Sequence, residues 1–163
     1  MNRQRTLPTV LVAEDHDYDK LILTEVFARA SISADLRFVS DGEQTLDYIY
    51  GRNRFADRGD APYPAIVLLD LNMPRLDGRK VVRLLRQDET VRHLVVIALS
   101  TSESAKHITE AYSIGFNAYL VKPANIADYV EAIRSLWHFW MNTASLPTTE
   151  AYRTGLEHHH HHH

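Results

Sequence analysis

The sequence lacks several features that would each indicate a particular class of protein. It contains no cysteine, which excludes a disulfide framework and thiol chemistry and suits a location in the cytoplasm. No apolar run is long enough to cross a bilayer, and the N-terminus has no signal-peptide core. The formal net charge of −3 gives no general basic field for nucleic acid. We therefore expect neither a membrane nor a nucleic acid as a partner.

The histidines give no evidence of a zinc site. Six of the ten form a C-terminal run after Leu156-Glu157, and we interpret residues 156–163 as an expression tag. The others are scattered without the spacing of zinc ligands. The rest of the chain is long enough for one hydrophobic core. We predict an N-terminal tail at 1–8, one folded domain at 9–142 and a C-terminal tail at 143–155.

Short apolar segments alternate with segments of helical spacing throughout this domain. Continuous apolar runs are typical of strands that are buried on both faces of a parallel sheet. Leu36 and Phe38 instead alternate with charged residues, which indicates a half-exposed edge strand. The sequence therefore predicts an α/β fold with a doubly wound, five-stranded parallel sheet and (βα)5 order. The remaining four strands are predicted at Val10–Ala13, Ile66–Leu69, Leu94–Leu99 and Ala118–Val121.

The predicted helices have recognisable ends. Asp41-x-x-Gln44 has the form of a capping box, and Ser102 is expected to cap the fourth helix. The fifth helix, about Asn125–Met141, would be longer than the sheet that it covers. The polar segment Arg52–Pro64 is predicted to be a surface loop between the second helix and the third strand.

Polar side chains occur where four of the predicted strands end. Glu14-Asp15 follows the first strand, Asp70 the third, Ser100 the fourth and Lys122 the fifth. In an open parallel sheet the carboxyl ends of the strands form the ligand site. Clustered carboxylates repel one another and call for a cation, and oxygen ligands suit Mg²⁺. The sequence therefore predicts a magnesium site at this edge.

The same residues suit phosphoryl transfer. Asp70 could attack phosphorus to give an aspartyl phosphate, and Mg²⁺ would offset the charge that accumulates there. Lys122 supplies a fixed positive charge, and the Ser100 hydroxyl can bond a phosphoryl oxygen. Each of these residues alone could have a purely structural role. Glu14-Asp15 could form a solvated turn before a helix, and Asp70 could cap the turn that follows its strand. The combination at four separate strand ends favours the functional interpretation.

The chain resembles the receiver domain of two-component response regulators over about Thr9–Met141. The segments that carry the resemblance are Glu14-Asp15, Asp70-Leu71-Asn72-Met73-Pro74 with Asp77-Gly78, Ser100-Thr101, and Tyr119-x-x-Lys122-Pro123. The resemblance implies a flavodoxin-like fold with strand order 2-1-3-4-5. It also implies that Asp70 accepts phosphate from a phosphohistidine on a sensor kinase, assisted by Lys122 and Ser100. Such a protein is not a conventional enzyme, because it catalyses only its own phosphotransfer and a slow dephosphorylation.

The resemblance also implies roles for individual side chains. Mg²⁺ would be bound by Asp15, Asp70 and the backbone carbonyl of Asn72, with Glu14 acting mostly through water. Glu14 stands where many members of the family have Asp.

A conformational switch is a further implication of the family resemblance. Ser100 would contact the phosphoryl group on phosphorylation, and Tyr119 would then turn from solvent to the interior. The Lys122–Pro123 peptide bond would be cis, an isomer whose cost proline lowers.

A narrower resemblance is to the small single-domain regulators associated with phytochrome histidine kinases. It rests on Trp140, Thr143 and Leu146-Pro147, with the Arg52–Pro64 loop and Leu99-Ser100-Thr101-Ser102. It implies a phytochrome-type histidine kinase as partner and a homodimer through helix 4, strand 5 and helix 5. Because only about 14 residues separate Met141 from the tag, we expect no output domain there, so the signal would leave by protein contact, by onward phosphate transfer or by dimer exchange. Trp137, Phe139 and Trp140 cannot all face inward, so the predicted dimer interface includes Tyr119, Trp137 and Trp140.

Other functions remain alternatives at this point. One is a phosphotransfer intermediate of another phosphorelay. Another is a receiver-like interaction domain without phosphorylation, which the intact Asp15, Asp70 and Lys122 disfavour. A haloacid dehalogenase phosphatase is disfavoured, since its Asp-x-Asp nucleophile motif lies on the first strand, whereas Asp70 lies on the third with Asn72 two residues later. The acids after the first strand disfavour a flavodoxin, because they would repel the flavin phosphate.

Overall fold

The computed structural model describes residues 7–147 of the 163-residue chain. Strands and helices alternate along this part of the chain. In order they are β1 (Thr9–Ala13), α1 (Asp17–Arg29), β2 (Asp35–Val39), α2 (Gly42–Tyr50), β3 (Ile66–Asp70), α3 (Gly78–Gln87), β4 (Val95–Ser100), α4 (Ala105–Ile114), β5 (Ala118–Val121) and α5 (Ile126–His138). A 3-10 turn at Asn53–Phe55 and a π-helical turn at Phe139–Thr143 complete the described elements.

The strands form one parallel sheet with the order β2-β1-β3-β4-β5. This confirms the predicted flavodoxin-like topology. β1, β3 and β4 are buried along their whole length, whereas β2 is half-exposed at one edge. The register pairs Asp70 with Leu99 and Ser100 with Val121. The carboxyl ends of β3, β4 and β5 therefore lie side by side.

Two apolar clusters cover the two faces of the sheet. Successive strand residues point to opposite faces, so Leu11 and Leu69 join one cluster while Val10 and Leu68 join the other. The first cluster lies under α2, α3 and α4, and the second lies under α1 and α5. At roughly 25 cal/mol per Å² of apolar area, these buried faces supply the main drive for folding.

The carboxyl ends of the parallel strands lie along one edge of the sheet, the carboxyl edge. The N-terminal ends of α2 and α4 show how local hydrogen bonds fix the loops near it. The Asp41 carboxylate accepts from the Gln44 N–H at 2.7 Å, as the capping-box pattern predicts. The Gln44 side chain, however, accepts from the Ser40 N–H and not from Asp41. The expectation that Ser102 caps the fourth helix is wrong: Ser104 is the N-cap, and α4 begins at Ala105.

The Arg52–Pro64 segment is a surface loop, as predicted, but it is held firmly to the domain. The Arg58 guanidinium donates to the backbone carbonyls of Tyr48, Ile49 and Ala61. The Tyr48 hydroxyl donates to the Pro62 carbonyl at 2.8 Å. The bonds to Tyr48 and Ile49 satisfy carbonyls at the C-terminal end of α2, where helical partners are missing, and the other two tie the loop to this end.

The aromatic residues at the end of α5 do not have the expected exposure. Trp137 and Trp140 are half-buried against the α1–α5 cluster, and Trp137 packs edge-on against Phe27 with 6.1 Å between ring centroids. Phe139 is the exposed member, with half of its surface accessible. Not all three rings face inward, but the two tryptophans contact their own chain.

Within residues 7–147, no helix combines the length and the apolar character needed to span a membrane.

Candidate functional site

Asp70 is the last residue of β3 and lies at the centre of the carboxyl edge, only 2% exposed. Its Oδ2 atom lies 2.6 Å from Lys122 Nζ, and its Oδ1 accepts from the Asn72 N–H at 2.9 Å. The Lys122 N–H in turn donates to the Ser100 carbonyl at 2.8 Å. This bond continues the β4–β5 ladder by one residue and directs the lysine towards Asp70. The structure thus brings Asp70, Lys122 and Ser100 together, as the strand-end pattern predicts.

Glu14 is the second buried acid of the site. Its Oε2 accepts from the backbone N–H groups of Asp15 and His16 at 3.0 and 3.2 Å. Burial, followed by a hydrogen bond to Asp70 and the charge of Asp70, raises the pKa of Glu14 to about 8. Two adjacent carboxylates cannot both stay ionised cheaply, so Glu14 holds the shared proton.

The Asp70 carboxyl has the opposite shift. Burial alone would raise its pKa, but hydrogen bonds from Glu14, Lys122 and the Asn72 N–H outweigh burial, and the net pKa is lowered. Asp70 therefore remains an anion, and its Oδ2 accepts a hydrogen bond from the Lys122 ammonium. An ionised carboxylate is the form that can act as a nucleophile.

Asp15 is the third acid that follows a strand at this edge, and its surroundings show whether a divalent cation would fit. Its Oδ1 atom is buried and has no hydrogen-bond partner within residues 7–147, and His16 Nε2 is 4.0 Å away. Among the described residues, no three acidic or histidine side chains already converge as a metal cage. The donors at this edge are nonetheless all oxygen atoms, and one is unsatisfied. That chemistry fits a hard divalent cation, provided that Glu14 releases its proton.

Asn72 makes a contact that the sequence did not indicate. Its side-chain Oδ1 accepts from the Thr101 N–H at 3.0 Å. The same residue holds Asp70 through its backbone, so Asn72 joins the β3–α3 loop to the β4–α4 loop. A single asparagine after Asp70 gives no sequence signal for this link, because its partner is 29 residues away.

Ser100 and Tyr119 meet through a third residue. Ser100 is buried, and its Oγ accepts from the Ser102 N–H at 3.1 Å. The Tyr119 hydroxyl donates to the Ser102 carbonyl at 2.9 Å, and its ring packs against the α2–α3–α4 cluster. Sequence reasoning assigned Ser102 only a capping role and missed this connection.

The Lys122–Pro123 bond is not cis. Between residues 7 and 147 every peptide bond is trans, so this expectation is wrong for the structure described. The two isomers of an X–Pro bond differ by only about 0.5–1 kcal/mol, so surrounding contacts decide between them. Here Lys122 makes its bonds to Ser100 and Asp70 from the trans form.

A cleft of about 370 Å³ lies beside the site, between α3 and α4. Its floor includes Leu76, Ala111 and Phe116, and Ser100, Ser102 and Tyr119 are also among its lining residues. Arg79 and Glu110 approach to 3.8 Å from the two helices. The switch residues therefore border open space on the α4 side.

Comparison with known proteins identifies the family. Residues 10–134 match the family model of the response regulator receiver domain. The chain belongs to the response regulator receiver family. A receiver is a signalling protein and not a conventional enzyme.

One similar protein has been solved with a bound metal. Response regulator Rcp1 of Synechocystis sp. is 28% identical over 138 residues, which cover 85% of this chain and 92% of Rcp1. A crystal structure of the Mn²⁺-bound form of Rcp1 has a TM-score of 0.74, with 28% identity over 86% of this chain and 99% of that one.

Two further structures extend this similarity. The phosphorylated cyanobacterial phytochrome response regulator RcpA has a TM-score of 0.77 and 29% identity, and 88% of this chain covers 100% of RcpA. The bacteriophytochrome response regulator RtBRR has a TM-score of 0.68 and 31% identity, over 97% of this chain and 98% of that one. The chain is thus similar to phytochrome regulators along most of its length.

Proposed function

We propose that this receiver accepts a phosphoryl group on Asp70 from the phosphohistidine of a sensor histidine kinase. The observation that supports this most directly is the buried Asp70 carboxylate, ionised beside Lys122 at the carboxyl edge of the sheet. In the transfer an Asp70 oxygen forms a bond to phosphorus while the phosphorus–nitrogen bond breaks. The electron pair of that bond returns to the imidazole of the kinase.

The chain's own residues manage the charge of this transfer. Lys122 already contacts Asp70 and would stay beside the phosphoryl oxygens as negative charge accumulates. The Ser100 hydroxyl, which accepts a bond from Ser102, keeps its own proton available to donate to a phosphoryl oxygen. Ser100 and Tyr119 then form the proposed switch, since both contact Ser102.

We also propose that Mg²⁺ is the resident cation. Asp15, Asp70 and the Asn72 carbonyl would hold it, and Glu14 would act mostly through water. When bound, the ion would offset negative charge around the phosphorus. The unsatisfied Asp15 oxygen and the all-oxygen donor set support this assignment, as does the Mn²⁺-bound form of the relative Rcp1.

The proposed input is a kinase of the phytochrome type, and the proposed output is contact with another protein. Support for the input comes from the likeness to the phytochrome response regulator RcpA and the bacteriophytochrome response regulator RtBRR. A cytoplasmic location accords with the absence of cysteine. Slow hydrolysis of the aspartyl phosphate would return the receiver to its resting state.

Beryllofluoride, which mimics a phosphoryl group on a carboxylate, tests the assignment of Asp70. With Mg²⁺ present we expect it to shift backbone NMR signals around Asp70, Ser100 and Tyr119. Asp70→Asn should abolish the response, because the amide lacks the nucleophilic oxygen. Asp17→Asn is the matched control, since the Asp17 side chain is 97% exposed. An unchanged response in Asp70→Asn would refute the assignment.

A homodimer through α4, β5 and α5 is a further proposal. Tyr112 is a half-exposed ring on α4 that is not among the cleft-lining residues. An exposed aromatic side chain on such a face is typical of an interface. Tyr119 and the two tryptophans are half-buried in their own chain, so Tyr112 is the better residue to test.

We expect Tyr112→Lys to weaken self-association in sedimentation velocity. Tyr18→Lys on α1 is the matched control, since Tyr18 is the more exposed of the two tyrosines. A monomeric parent protein, or equal weakening by both variants, would rule out this interface.

A further inference from the structure

Ser102 occupies a central position in the β4–α4 loop. Through its backbone it donates to Ser100 Oγ and accepts from the Tyr119 hydroxyl. Its side-chain oxygen accepts from the Ser104 N–H at 3.2 Å and lies 2.7 Å from His107 Nδ1. One residue therefore joins both proposed switch residues to the first turn of α4.

His107 supplies the link on the helix side. It is the third residue of α4, and its N–H approaches the Ser104 N-cap oxygen at 3.5 Å. In a capping box, the side chain at this third position reaches back to the start of the helix. Here the imidazole reaches back two residues further, to Ser102. The Ser102 hydroxyl accepts from Ser104 and still has its proton to donate and a second lone pair, so it can bond Nδ1 in either imidazole tautomer.

This link matters because apolar packing holds α4 only weakly. Of the ten residues of α4, all of which the structure describes, only Ala111 is buried. The α3–α4 cleft lies along one side of the helix. Directional hydrogen bonds at the first turn therefore contribute a larger share of the positioning of this helix than they do for the neighbouring helices.

The Ser102–His107 bond also acts on the proposed phosphoryl site. With Ser102 fixed, its N–H occupies a lone pair of Ser100 Oγ, and the Ser100 hydroxyl is oriented to donate elsewhere. With Ser102 fixed, its carbonyl also retains the Tyr119 hydroxyl. Both effects stabilise the arrangement described here, in which the Tyr119 ring already packs against the α2–α3–α4 cluster.

We propose that Ser102 and His107 are positioning residues that hold the β4–α4 loop in its phosphoryl-receptive arrangement. The proposal rests on the proposed function of Asp70 as phosphoacceptor. Neither side chain touches the acidic group, so both act through Ser100 and Tyr119.

The test compares variants of His107 by their apparent affinity for beryllofluoride at saturating Mg²⁺. His107→Leu removes the polar partner, and we expect a weakening of about two- to tenfold, the range for one lost hydrogen bond. His107→Asn retains a polar atom at the position of Nδ1 and should restore most of the affinity. Ser102→Ala, which also removes the acceptor of the Ser104 N–H, should weaken binding at least as much as His107→Leu, and the double variant should add little to Ser102→Ala. Lys106→Ala, at the exposed preceding position, is the control.

A second readout separates positioning from general loss of structure. Mg²⁺ affinity measured without beryllofluoride should be unchanged in His107→Leu, because the acidic residues are not in contact with His107. Wild-type affinity for beryllofluoride in His107→Leu, or additive effects in the double variant, would overturn the inference. Neither result would affect the assignment of Asp70 as phosphoacceptor. Loss of response in the parent protein itself would instead overturn the proposed function.

Discussion

At the scale of residues, the two buried acids of the site have opposite protonation. Glu14 and Asp70 are hydrogen-bonded, and only Asp70 has a lysine on its other side. The proton therefore lies with Glu14, whose pKa is raised, while Asp70 stays ionised. The sequence indicated three acids at one edge, but it could not indicate which of them carries the proton. That assignment depends on the Lys122 contact and on burial.

This asymmetry predicts how stability depends on pH in the presence of a chelator. The pKa of Glu14 rises from its usual value of 4.5 to about 8 on folding. Between these values the folded chain binds a proton that the unfolded chain releases, so the free energy of unfolding falls as pH rises. Burial and the charge of Arg86 lower the pKa of His93 below its usual value of 6.5. This shift makes the free energy of unfolding rise with pH, but only at pH values below 6.5.

Urea denaturation in EDTA from pH 6.5 to 8 should therefore show decreasing stability. Glu14→Gln, which keeps a donor towards Asp70 without titrating, should reduce that slope. An equal slope in the variant would show that another group is responsible.

At the scale of elements, the strands were more predictable than the helix ends. Strands β1, β3, β4 and β5 differ from their predicted limits by at most one residue, because a continuous apolar run has few ways to be buried. The start of α4 was mispredicted, since Ser102 and Ser104 are both suitable caps in sequence and only the loop path selects Ser104. The regular α-helix also ends at His138, three residues before the predicted Met141.

The end of α5 gives a prediction about stability. Trp137 packs on Phe27 of α1, so Trp137→Ala should lower the free energy of unfolding by about 1–3 kcal/mol, less than a fully buried aromatic residue would cost. Phe139→Ala, which removes a half-exposed ring whose edge-on partner is Trp140, should cost less than Trp137→Ala, at most about 1 kcal/mol. Denaturation followed by circular dichroism measures both. A larger loss for Phe139 than for Trp137 would contradict this packing.

At the scale of the whole molecule, the site follows from the topology. Glu14, Asp70, Ser100 and Lys122 are far apart in sequence, and the parallel order β2-β1-β3-β4-β5 brings their strand ends to one edge. That much was predictable, because few arrangements of alternating strands and helices are possible. The bond from Asn72 to Thr101, the role of Ser102 and the trans Lys122–Pro123 bond were not. Each depends on loop conformation, which hydrophobic patterning does not determine.

The central claim is that Asp70 is the phosphoacceptor, and direct phosphorylation tests it. The protein should be incubated with acetyl phosphate and Mg²⁺ and its intact mass measured at once. We expect a gain of one phosphoryl group, located on Asp70 by peptide mapping and absent from Asp70→Asn. Asp77→Asn, which changes the nearby N-cap of α3, should still gain it. No gain in the parent protein, or an undiminished gain in Asp70→Asn, would contradict the account.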